Sequence, residues 1–326
     1  MQAWISGDVR GVEGLVIKER PRPVPEGRWM LVRVTHAAVN FSDILMISDR
    51  YQVRPERPFI PGQEISGIVV KAADECGFDS GDRISSKVVN GGFAEFVLVR
   101  ADMALRVPDG RELTAAAALP VSYTTALVAL DHCARLRKTD TVLVHAAAGG
   151  VGLAAVEIAS LAGATVIAAA GSRDRLRIPK SRGASHCVNY RNSDWFRRVL
   201  ALTDGRGAQV IVDPVGGRVG EESLRCIAVD GRFLIVGFAS GRMPELAPHR
   251  LLLKRAAACG VYWNHDKDAD LLTRTGTKLM DLFAKDKVRP RIDCRKGLTS
   301  LPGALADLAH RRVKGKLVLR VAEDTT

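Results

Sequence analysis

The stretch that decides the fold spans residues 141–152 and reads Thr141-Val142-Leu143-Val144-His145-Ala146-Ala147-Ala148-Gly149-Gly150-Val151-Gly152. Its β-branched and apolar start predicts a buried strand, and the residues from Gly150 to Ala162 predict a helix. Small residues between them let the backbone approach a pyrophosphate, which the helix N-terminus attracts. Although the spacing is AxxGxxG rather than GxGxxG, the strand, turn and helix stand in the order that dinucleotide binding requires. The alternative is a glycine-rich turn of another doubly wound fold.

Apolar strands alternate with helices along the chain after this turn. They are predicted at residues 165–170, 187–190, 210–213, 232–237 and 257–262. This pattern is typical of a parallel sheet covered on both faces. The first 115 residues predict short strands separated by turns, among them 29–36 and 93–99, and Thr114 is the expected N-cap of the first helix after them. The expected fold class is therefore α/β.

The end of the second strand of this sheet selects the cofactor. NAD-binding proteins usually place a carboxylate there, to accept hydrogen bonds from the ribose. This chain has Ala170-Gly171-Ser172-Arg173, and its first acid, Asp174, comes one position late. A hydroxyl and a guanidinium suit a 2′-phosphate, so NADPH is the predicted cofactor. Pro179 is expected to interrupt the following helix or end it early.

Composition restricts the function classes. The 326 residues suit two domains, and 47% hydrophobic residues indicate a globular chain. The net charge of +12 comes from scattered basic residues without interleaved aromatics, so a solvated surface is favoured over a nucleic-acid interface. The six cysteines are dispersed and form no CxxC pair, which indicates reduced thiols in a cytoplasmic protein. No signal peptide or membrane-spanning segment is predicted.

Further motifs resemble those of the zinc-free quinone oxidoreductase branch of the medium-chain dehydrogenase/reductase superfamily. They are the stretches 38–43 (AVNFSD), 61–64 (PGQE), 91–95 (GGFAE), 119–121 (LPV), 188–190 (VNY), 213–217 (DPVGG), 231–238 (GRFLIVGF) and 315–319 (GKLVL). The resemblance implies a GroES-like, β-rich catalytic domain of residues 1–120, completed by 263–326, and a Rossmann domain of residues 121–262. It also implies a homodimer.

The resemblance implies roles for individual residues. Asn40 would face the nicotinamide and the acceptor, with Tyr51 across from it. The cofactor would be bound by Thr125, Ala148, Gly149, Gly150, Val151, Ser172, Arg173, Tyr190, Gly237, Phe238 and Arg312. Each has a structural alternative: Asn40 as a turn or cap residue, Tyr51 and Phe238 as core, Tyr190 as a strand end, and Ser172, Arg173 and Arg312 as exposed helix-start or surface groups.

Zinc-dependent relatives have a cysteine ligand where this sequence has Asn40 and a histidine where it has Gln63. No cysteine falls between Cys76 and Cys133, so the four-cysteine structural lobe is also missing. No metal site is therefore expected. Without a metal to polarise it, the acceptor must take up a hydride through its own conjugation, as a quinone does.

Two other functions remain open from the sequence. An NADPH-dependent enoyl or acryloyl reductase would act on an α,β-unsaturated carbonyl or thioester, and it would need an acid such as Tyr51. A more distant alternative is an NADPH-binding sensor or an RNA-binding protein, which only the net charge supports. The physiological acceptor, and whether electrons move singly or in pairs, are not determined by the sequence.

Overall fold

The structure, a computed structural model, describes residues Met1–Asp324. Contacts between residues divide the chain into two units. The first unit comprises Met1–Val121 and the chain from Asp268 onward, and the second comprises Ser122–Lys267. Among residues 1–324, no helix is both long and apolar enough to cross a membrane.

The first unit begins with short strands, as its turn-rich sequence predicts. In chain order its elements up to residue 121 are β1 (Gln2–Ser6), β2 (Leu15–Glu19), β3 (Trp29–Val39), α1 (Phe41–Ile47), β4 (Glu64–Lys71), β5 (Arg83–Lys87), β6 (Phe96–Arg100), β7 (Ala104–Arg106) and α2 (Leu113–Ala116). β1 and β2 pair as an antiparallel hairpin.

The second unit alternates strands and helices. Its elements are α3 (Ser122–Leu127), β8 (Thr141–Val144), α4 (Gly150–Leu161), β9 (Thr165–Ala170), α5 (Arg173–Lys180), β10 (His186–Asn189), α6 (Trp195–Leu202), β11 (Ala208–Asp213), α7 (Gly217–Ser223), β12 (Ile227–Ile235), α8 (Pro248–Lys254) and β13 (Ala257–Gly260). The chain then returns to the first unit with α9 (Ala269–Ala284), β14 (Ile292–Lys296), α10 (Leu301–Ala309) and β15 (Lys316–Arg320).

The second unit contains a six-stranded sheet in the order β10-β9-β8-β11-β12-β13, and every pairing in it is parallel. This is the strand order of a Rossmann fold, in which the chain reverses direction across the sheet between β8 and β11. Ligands of such sheets bind at the carboxyl ends of the strands beside this switch point. The glycine-rich turn follows β8 and therefore lies at that point.

A second large sheet forms the first unit, in the order β14-β15-β3-β4-β5-β7, with β6 also paired to β3. β3 is its central strand, and β15 from the end of the chain pairs antiparallel with the last residues of β3. This pairing brings Lys316 close to Asn40, which follows β3. Each unit has its own apolar cluster, one around Met30 and Ile65 and one around Leu143 and Phe233.

Local details differ from the sequence expectations in a few places. Thr114 is not an N-cap: α2 begins at Leu113, and Glu112 occupies the cap position. Strand β6 begins at Phe96 rather than Phe93, because Phe93 and Ala94 instead contact the first strand through Trp4 and Ala3. Pro179 lies inside α5, and the helix ends one residue later at Lys180, as the missing proline N–H predicts.

Candidate functional site

The turn after β8 brings strand and helix backbones into close contact. Ala146 adopts a left-handed conformation (φ 46°), and its carbonyl accepts a hydrogen bond of 2.8 Å from the Gly149 N–H. A Cβ built at Gly152 would lie only 2.3 Å from the Ala146 oxygen. Gly152 therefore permits the tight helix–strand packing that the sequence predicts for it.

Helix α4 begins directly after this turn, with Gly149 in the N-cap position. The first N–H groups of any α-helix have no intrahelical acceptor, and they carry the positive end of the helix dipole. Ala148, Gly149, Gly150 and Val151 form this helix start, and the two glycines have no side chain that would shield the backbone. The arrangement fits a pyrophosphate, which carries the negative charge that such a helix start attracts.

The end of β9 leads into α5 through Gly171 and Ser172. The Ser172 hydroxyl oxygen caps α5 by accepting a hydrogen bond of 3.4 Å from the Arg175 N–H. Arg173 is the first helical residue and is exposed. Ser172 is thus a helix cap, in agreement with its structural alternative. In the cap bond the hydroxyl oxygen is the acceptor, so the hydroxyl proton takes no part in it.

Tyr190 and Arg191 follow β10 and lie against Gly171. A Cβ built at Gly171 would be 3.3 Å from both the Arg191 Nε and the Tyr190 Cε2, so a larger residue would displace these side chains. The Tyr190 ring also meets His145 edge to face, with 6.0 Å between ring centroids. Two hydroxyls and two guanidinium groups therefore lie at the carboxyl ends of β9 and β10.

The remaining cofactor candidates of this unit lie on other elements. Thr125 is on α3, where its hydroxyl oxygen accepts a hydrogen bond of 3.1 Å from the Trp263 indole. Gly237 and Phe238 follow β12, and the Gly237 N–H donates to the Asp213 carbonyl at 3.3 Å. Direct contacts therefore connect cofactor candidates around Gly171, whereas Thr125 is in contact with Trp263.

Two buried ionisable groups support this edge of the sheet. Burial lowers the pKa of His145 to about 3, so the ring stays neutral, and its Nε2 is 2.7 Å from the Ser223 hydroxyl. Burial raises the pKa of Asp213 to about 6, although the Val215 and Gly216 N–H groups donate to its carboxylate and partly offset the shift. Asp213 ends β11 and His145 directly follows β8, so both buried groups lie at this edge of the sheet.

Asn40, in the first unit, occupies the N-cap position of α1 and forms a capping box with Asp43. In this capping box the Asp43 carboxylate accepts from the Asn40 N–H at 2.7 Å. Asp43 is fully buried, and burial raises its pKa to about 7. The Asn40 side chain also makes contacts outside α1.

Those contacts form a buried polar network with Glu64 and Lys316. The Asn40 Nδ2 donates to Glu64 at 3.1 Å, and the Lys316 ammonium donates to the Asn40 Oδ1 at 2.5 Å. Lys316 also pairs with Glu64 at 2.6 Å, and the Val121 N–H donates to the other Glu64 oxygen at 2.7 Å. These bonds satisfy a carboxylate that has no exposed area.

The positions that resemble zinc-ligand positions are also hydrogen-bonded. The Gln63 side-chain carbonyl accepts from the Ser42 hydroxyl at 2.5 Å. Within residues 1–324 the structure has no cluster of three or more His, Cys, Asp or Glu side chains arranged to bind a metal ion.

Tyr51 and Arg312, both in the first unit, make the contacts that their structural alternatives predict. Tyr51 lies in the segment after α1, and its half-buried ring packs against the apolar cluster of this unit. Arg312 is exposed and pairs with Asp307 at 3.5 Å.

Two residues that the sequence reasoning did not single out belong to these sites. Arg191 directly follows Tyr190, and its position next to a strand end was a signal for a second phosphate-binding cation. Lys316 begins the apolar strand β15, and a lysine in such a strand indicates a buried, paired charge.

Comparison with known proteins places the chain in a family. The alcohol dehydrogenase GroES-like domain model matches residues 26–109, and the zinc-binding dehydrogenase model matches residues 150–283. The quinone oxidoreductase-like protein 2 homolog of Nematostella vectensis is 37% identical over 297 residues, which cover 90% of this chain and 81% of that protein. The chain belongs to the medium-chain dehydrogenase/reductase superfamily, in its zinc-independent quinone oxidoreductase branch.

Solved structures agree on the fold. The quinone oxidoreductase of Thermus thermophilus, which was also solved in complex with NADPH, has a TM-score of 0.85 and 30% identity, with 98% of this chain and 100% of that chain covered. A protein named NAD-dependent alcohol dehydrogenase has a TM-score of 0.90 and 28% identity, with 99% and 100% covered. Fold similarity alone therefore does not identify the cofactor or the substrate, and both must be inferred from the residues of the site.

Proposed function

We propose that the protein is an enzyme that uses NADPH to reduce a quinone without a metal ion. The observation that carries the cofactor choice is the group of Ser172, Arg173, Tyr190 and Arg191 around Gly171, at the strand end where NAD-binding proteins usually have a carboxylate. The guanidinium groups match a 2′-phosphate in charge and in hydrogen-bonding geometry. The NADPH complex of the Thermus thermophilus relative supports the same choice.

Residues of the second unit would hold the cofactor. Ala148, Gly149, Gly150 and Val151 would bind its pyrophosphate through the start of α4, while Thr125, Gly237 and Phe238 would contact its nicotinamide half. When bound, NADPH supplies a hydride to an acceptor that is conjugated and electron-poor. Arg312 would contact the cofactor once its pair with Asp307 opens.

Asn40 and Tyr51 would meet the acceptor. A quinone takes up one hydride and one proton, which solvent supplies, and both electrons reside in the aromatic product. These residues therefore orient the acceptor and exclude water rather than polarise an unactivated carbonyl. The quinone oxidoreductase names of the relatives support this acceptor class, and the alternative is an enoyl or acryloyl reductase.

An NADPH-oxidation screen tests the proposal. We expect turnover with 1,4-benzoquinone and larger quinones, little turnover with crotonyl thioesters, and none with simple alcohols and NADP⁺. The ratio kcat/KM should favour NADPH over NADH. Preferential turnover of the thioester would establish the enoyl reductase alternative, and a preference for NADH would refute the assignment of the phosphate site.

We further propose a homodimer formed through the edge strand β13 and located in the cytoplasm. β13 lies at the end of the sheet order, and Leu252, Leu253 and Tyr262 beside it are 78%, 77% and 63% exposed. An uncovered strand edge with apolar neighbours favours pairing with another chain. Six free cysteines are compatible with a reducing compartment. Sedimentation equilibrium of the protein and of a Leu252→Glu variant tests the dimer.

A further inference from the structure

Thr125 on α3 forms a hydrogen bond with Trp263, a residue to which the proposed function gives no role. Trp263 lies three positions after β13, and its indole N–H donates to the Thr125 hydroxyl oxygen at 3.1 Å. Trp263 is 8% exposed, whereas Thr125 is half-buried between the buried residues Thr124 and Ala126. A buried indole therefore holds the hydroxyl of a residue that keeps part of its surface exposed.

The position of this pair in the sheet fits the nicotinamide half of the cofactor. β12 and β13 run parallel, and the Val261 N–H continues their pairing by donating to the Ile235 carbonyl at 2.9 Å. Trp263 therefore follows the carboxyl ends of these strands, at the edge where Rossmann sheets bind dinucleotides. The residues proposed to bind the 2′-phosphate follow β9 and β10, on the other side of the glycine-rich turn. A dinucleotide that crosses this turn extends toward β12 and β13.

The indole contact determines what the Thr125 hydroxyl can offer to a ligand. A tryptophan N–H only donates hydrogen bonds, so it takes up a lone pair of the Thr125 oxygen and repels the hydroxyl proton. Within residues 1–324 no protein group accepts a hydrogen bond from this hydroxyl. Trp263 therefore leaves the Thr125 hydroxyl oriented as a donor.

The carboxamide of nicotinamide has one group that matches such a donor. Its carbonyl oxygen only accepts hydrogen bonds and its NH₂ group only donates them, as in an asparagine side chain. A hydroxyl that rotates freely pairs with either group, whereas a hydroxyl oriented as a donor pairs with the oxygen. The contact with Trp263 thus selects between two orientations of the carboxamide.

We propose that Trp263 is a positioning residue, which directs the Thr125 proton toward the carboxamide oxygen of bound NADPH. The resulting hydrogen bond restricts rotation of the nicotinamide about its bond to the ribose. It thereby keeps the carbon that carries the hydride in one orientation toward the acceptor. This inference rests on the proposed function and adds to it the residue that orients Thr125.

Two cofactor analogues that differ from NADPH in the carboxamide group test this bond. The thionicotinamide analogue has sulfur, a weaker acceptor, in place of the oxygen, and the acetylpyridine analogue keeps the oxygen but lacks the NH₂ group. Calorimetric titration without an acceptor measures the Kd of each. We expect the wild type to bind the thionicotinamide analogue about threefold to tenfold more weakly than NADPH, as the loss of one neutral hydrogen bond predicts.

Two single variants show which residues are responsible for this ratio of Kd values. In Thr125→Val the ratio of the thionicotinamide analogue to NADPH should fall to about 1, and in Trp263→Phe it should fall at least about twofold. The ratio of the acetylpyridine analogue to NADPH should be the same in both variants and in the wild type. A wild-type ratio of about 1 for the thionicotinamide analogue, or a change in the acetylpyridine ratio instead, would overturn the proposal.

Trp4→Phe makes the control substitution away from the proposed cofactor site. Trp4 is 7% exposed, and its indole N–H donates to the Leu298 carbonyl at 2.8 Å, so W4F and W263F each remove a buried hydrogen bond. Both variants should have a lower melting temperature than the wild type. The thionicotinamide ratio should change in W263F and stay at the wild-type value in W4F. An unchanged ratio in W263F would show a structural role only.

A double variant tests whether Trp263 acts through Thr125. T125V leaves the buried indole N–H without its Thr125 acceptor, whereas T125V/W263F removes both groups, so the melting temperature should be higher in the double variant than in T125V. The Kd for NADPH should be the same in these two variants, because the hydroxyl that Trp263 orients is already absent. A further loss of affinity in the double variant would show that Trp263 acts independently of Thr125 and would overturn the proposal.

These binding measurements separate the inference from the proposed function. If the wild type binds NADPH but does not distinguish the thionicotinamide analogue, the role of Trp263 fails and the proposed function stands. If all Kd ratios behave as expected but the wild type reduces no quinone, the proposed acceptor fails while the role of Trp263 stands. A wild type that does not bind NADPH would overturn both.

Discussion

Replacing Gly152 with alanine should open the turn on which cofactor binding depends. A Cβ at this position would lie 2.3 Å from the Ala146 oxygen and 2.9 Å from the Ala147 Cα. Non-bonded heavy atoms reach their optimal separation at about 3.5–4.0 Å, so helix α4 and the turn must separate by about 1 Å. The Ala146 oxygen also accepts the 2.8 Å hydrogen bond from the Gly149 N–H, which this separation weakens.

The expected cost combines these effects. Overpacking costs about 1–3 kcal/mol and loss of one hydrogen bond about 1 kcal/mol. The intrinsic preference of a helix for alanine over glycine returns about 0.5–1 kcal/mol. The net loss in the free energy of unfolding is about 2 kcal/mol, which lowers the melting temperature by roughly 4–8 °C for a domain of this size.

Two further glycine-to-alanine variants serve as controls. Gly303 lies in α10 with no atom within 4 Å of a built Cβ, so G303A should raise the melting temperature slightly. At Gly149 the Cβ would be 3.3 Å from the Ala146 oxygen, so G149A should keep most of its stability but bind NADPH more weakly. Thermal unfolding by calorimetry and fluorescence titration with NADPH measure both properties. Wild-type stability and affinity in G152A would refute the argument that the turn needs glycine there.

Three further substitutions test single interactions. Arg173→Ala should raise the KM for NADPH roughly tenfold and leave that for NADH unchanged, because a charge-assisted bond to the 2′-phosphate is lost; equal effects on both cofactors would remove Arg173 from this role. Asp43 has a folded pKa of about 7 against an ordinary value of 3.8, so stability falls as pH rises between these values and levels off above 7. Asp43→Asn should lack this loss and be more stable than the wild type at pH 8 by on the order of 4 kcal/mol in urea unfolding. His145, whose lowered pKa makes stability rise with pH, contributes equally in both proteins, so the difference between them reports on Asp43. Tyr123→Phe removes a buried 2.7 Å hydrogen bond to Glu157 and should cost about 1–3 kcal/mol, and an unchanged urea midpoint would contradict this.

The sequence predicted the second unit well because its signals are local. Strand β9 spans residues 165–170 as expected, and α4 begins at Gly150 as expected and ends one residue early, at Leu161. A fully apolar strand followed by a glycine-rich turn has few other solutions, and the neighbouring strands repeat the same pattern. Parallel pairing follows from the strand–helix–strand connections, and in the observed order β8 lies between β9 and β11.

The first unit was harder to predict because its contacts join distant segments. Strands β2 and β14 have exposed and charged residues in their sequences, so their alternation is weak. Thr114 resembled an N-cap by residue type, but α2 begins one residue earlier, at Leu113. Residue type alone does not identify a helix start when the preceding chain is already fixed by tertiary contacts.

The chemistry of the Asn40 network depends on such distant contacts. Asn40 and Lys316 are 276 positions apart, and only the antiparallel pairing of β15 with β3 brings them together. From residue types alone, Asn40 was an N-cap candidate and Lys316 one of many scattered cations. Once paired, the Lys316 charge is balanced by Glu64, so the two together add no net charge beside Asn40, where the acceptor is proposed to bind. A site without a strong electrophile suits a substrate that already attracts electrons, whereas an unactivated carbonyl would need such an electrophile at the same position.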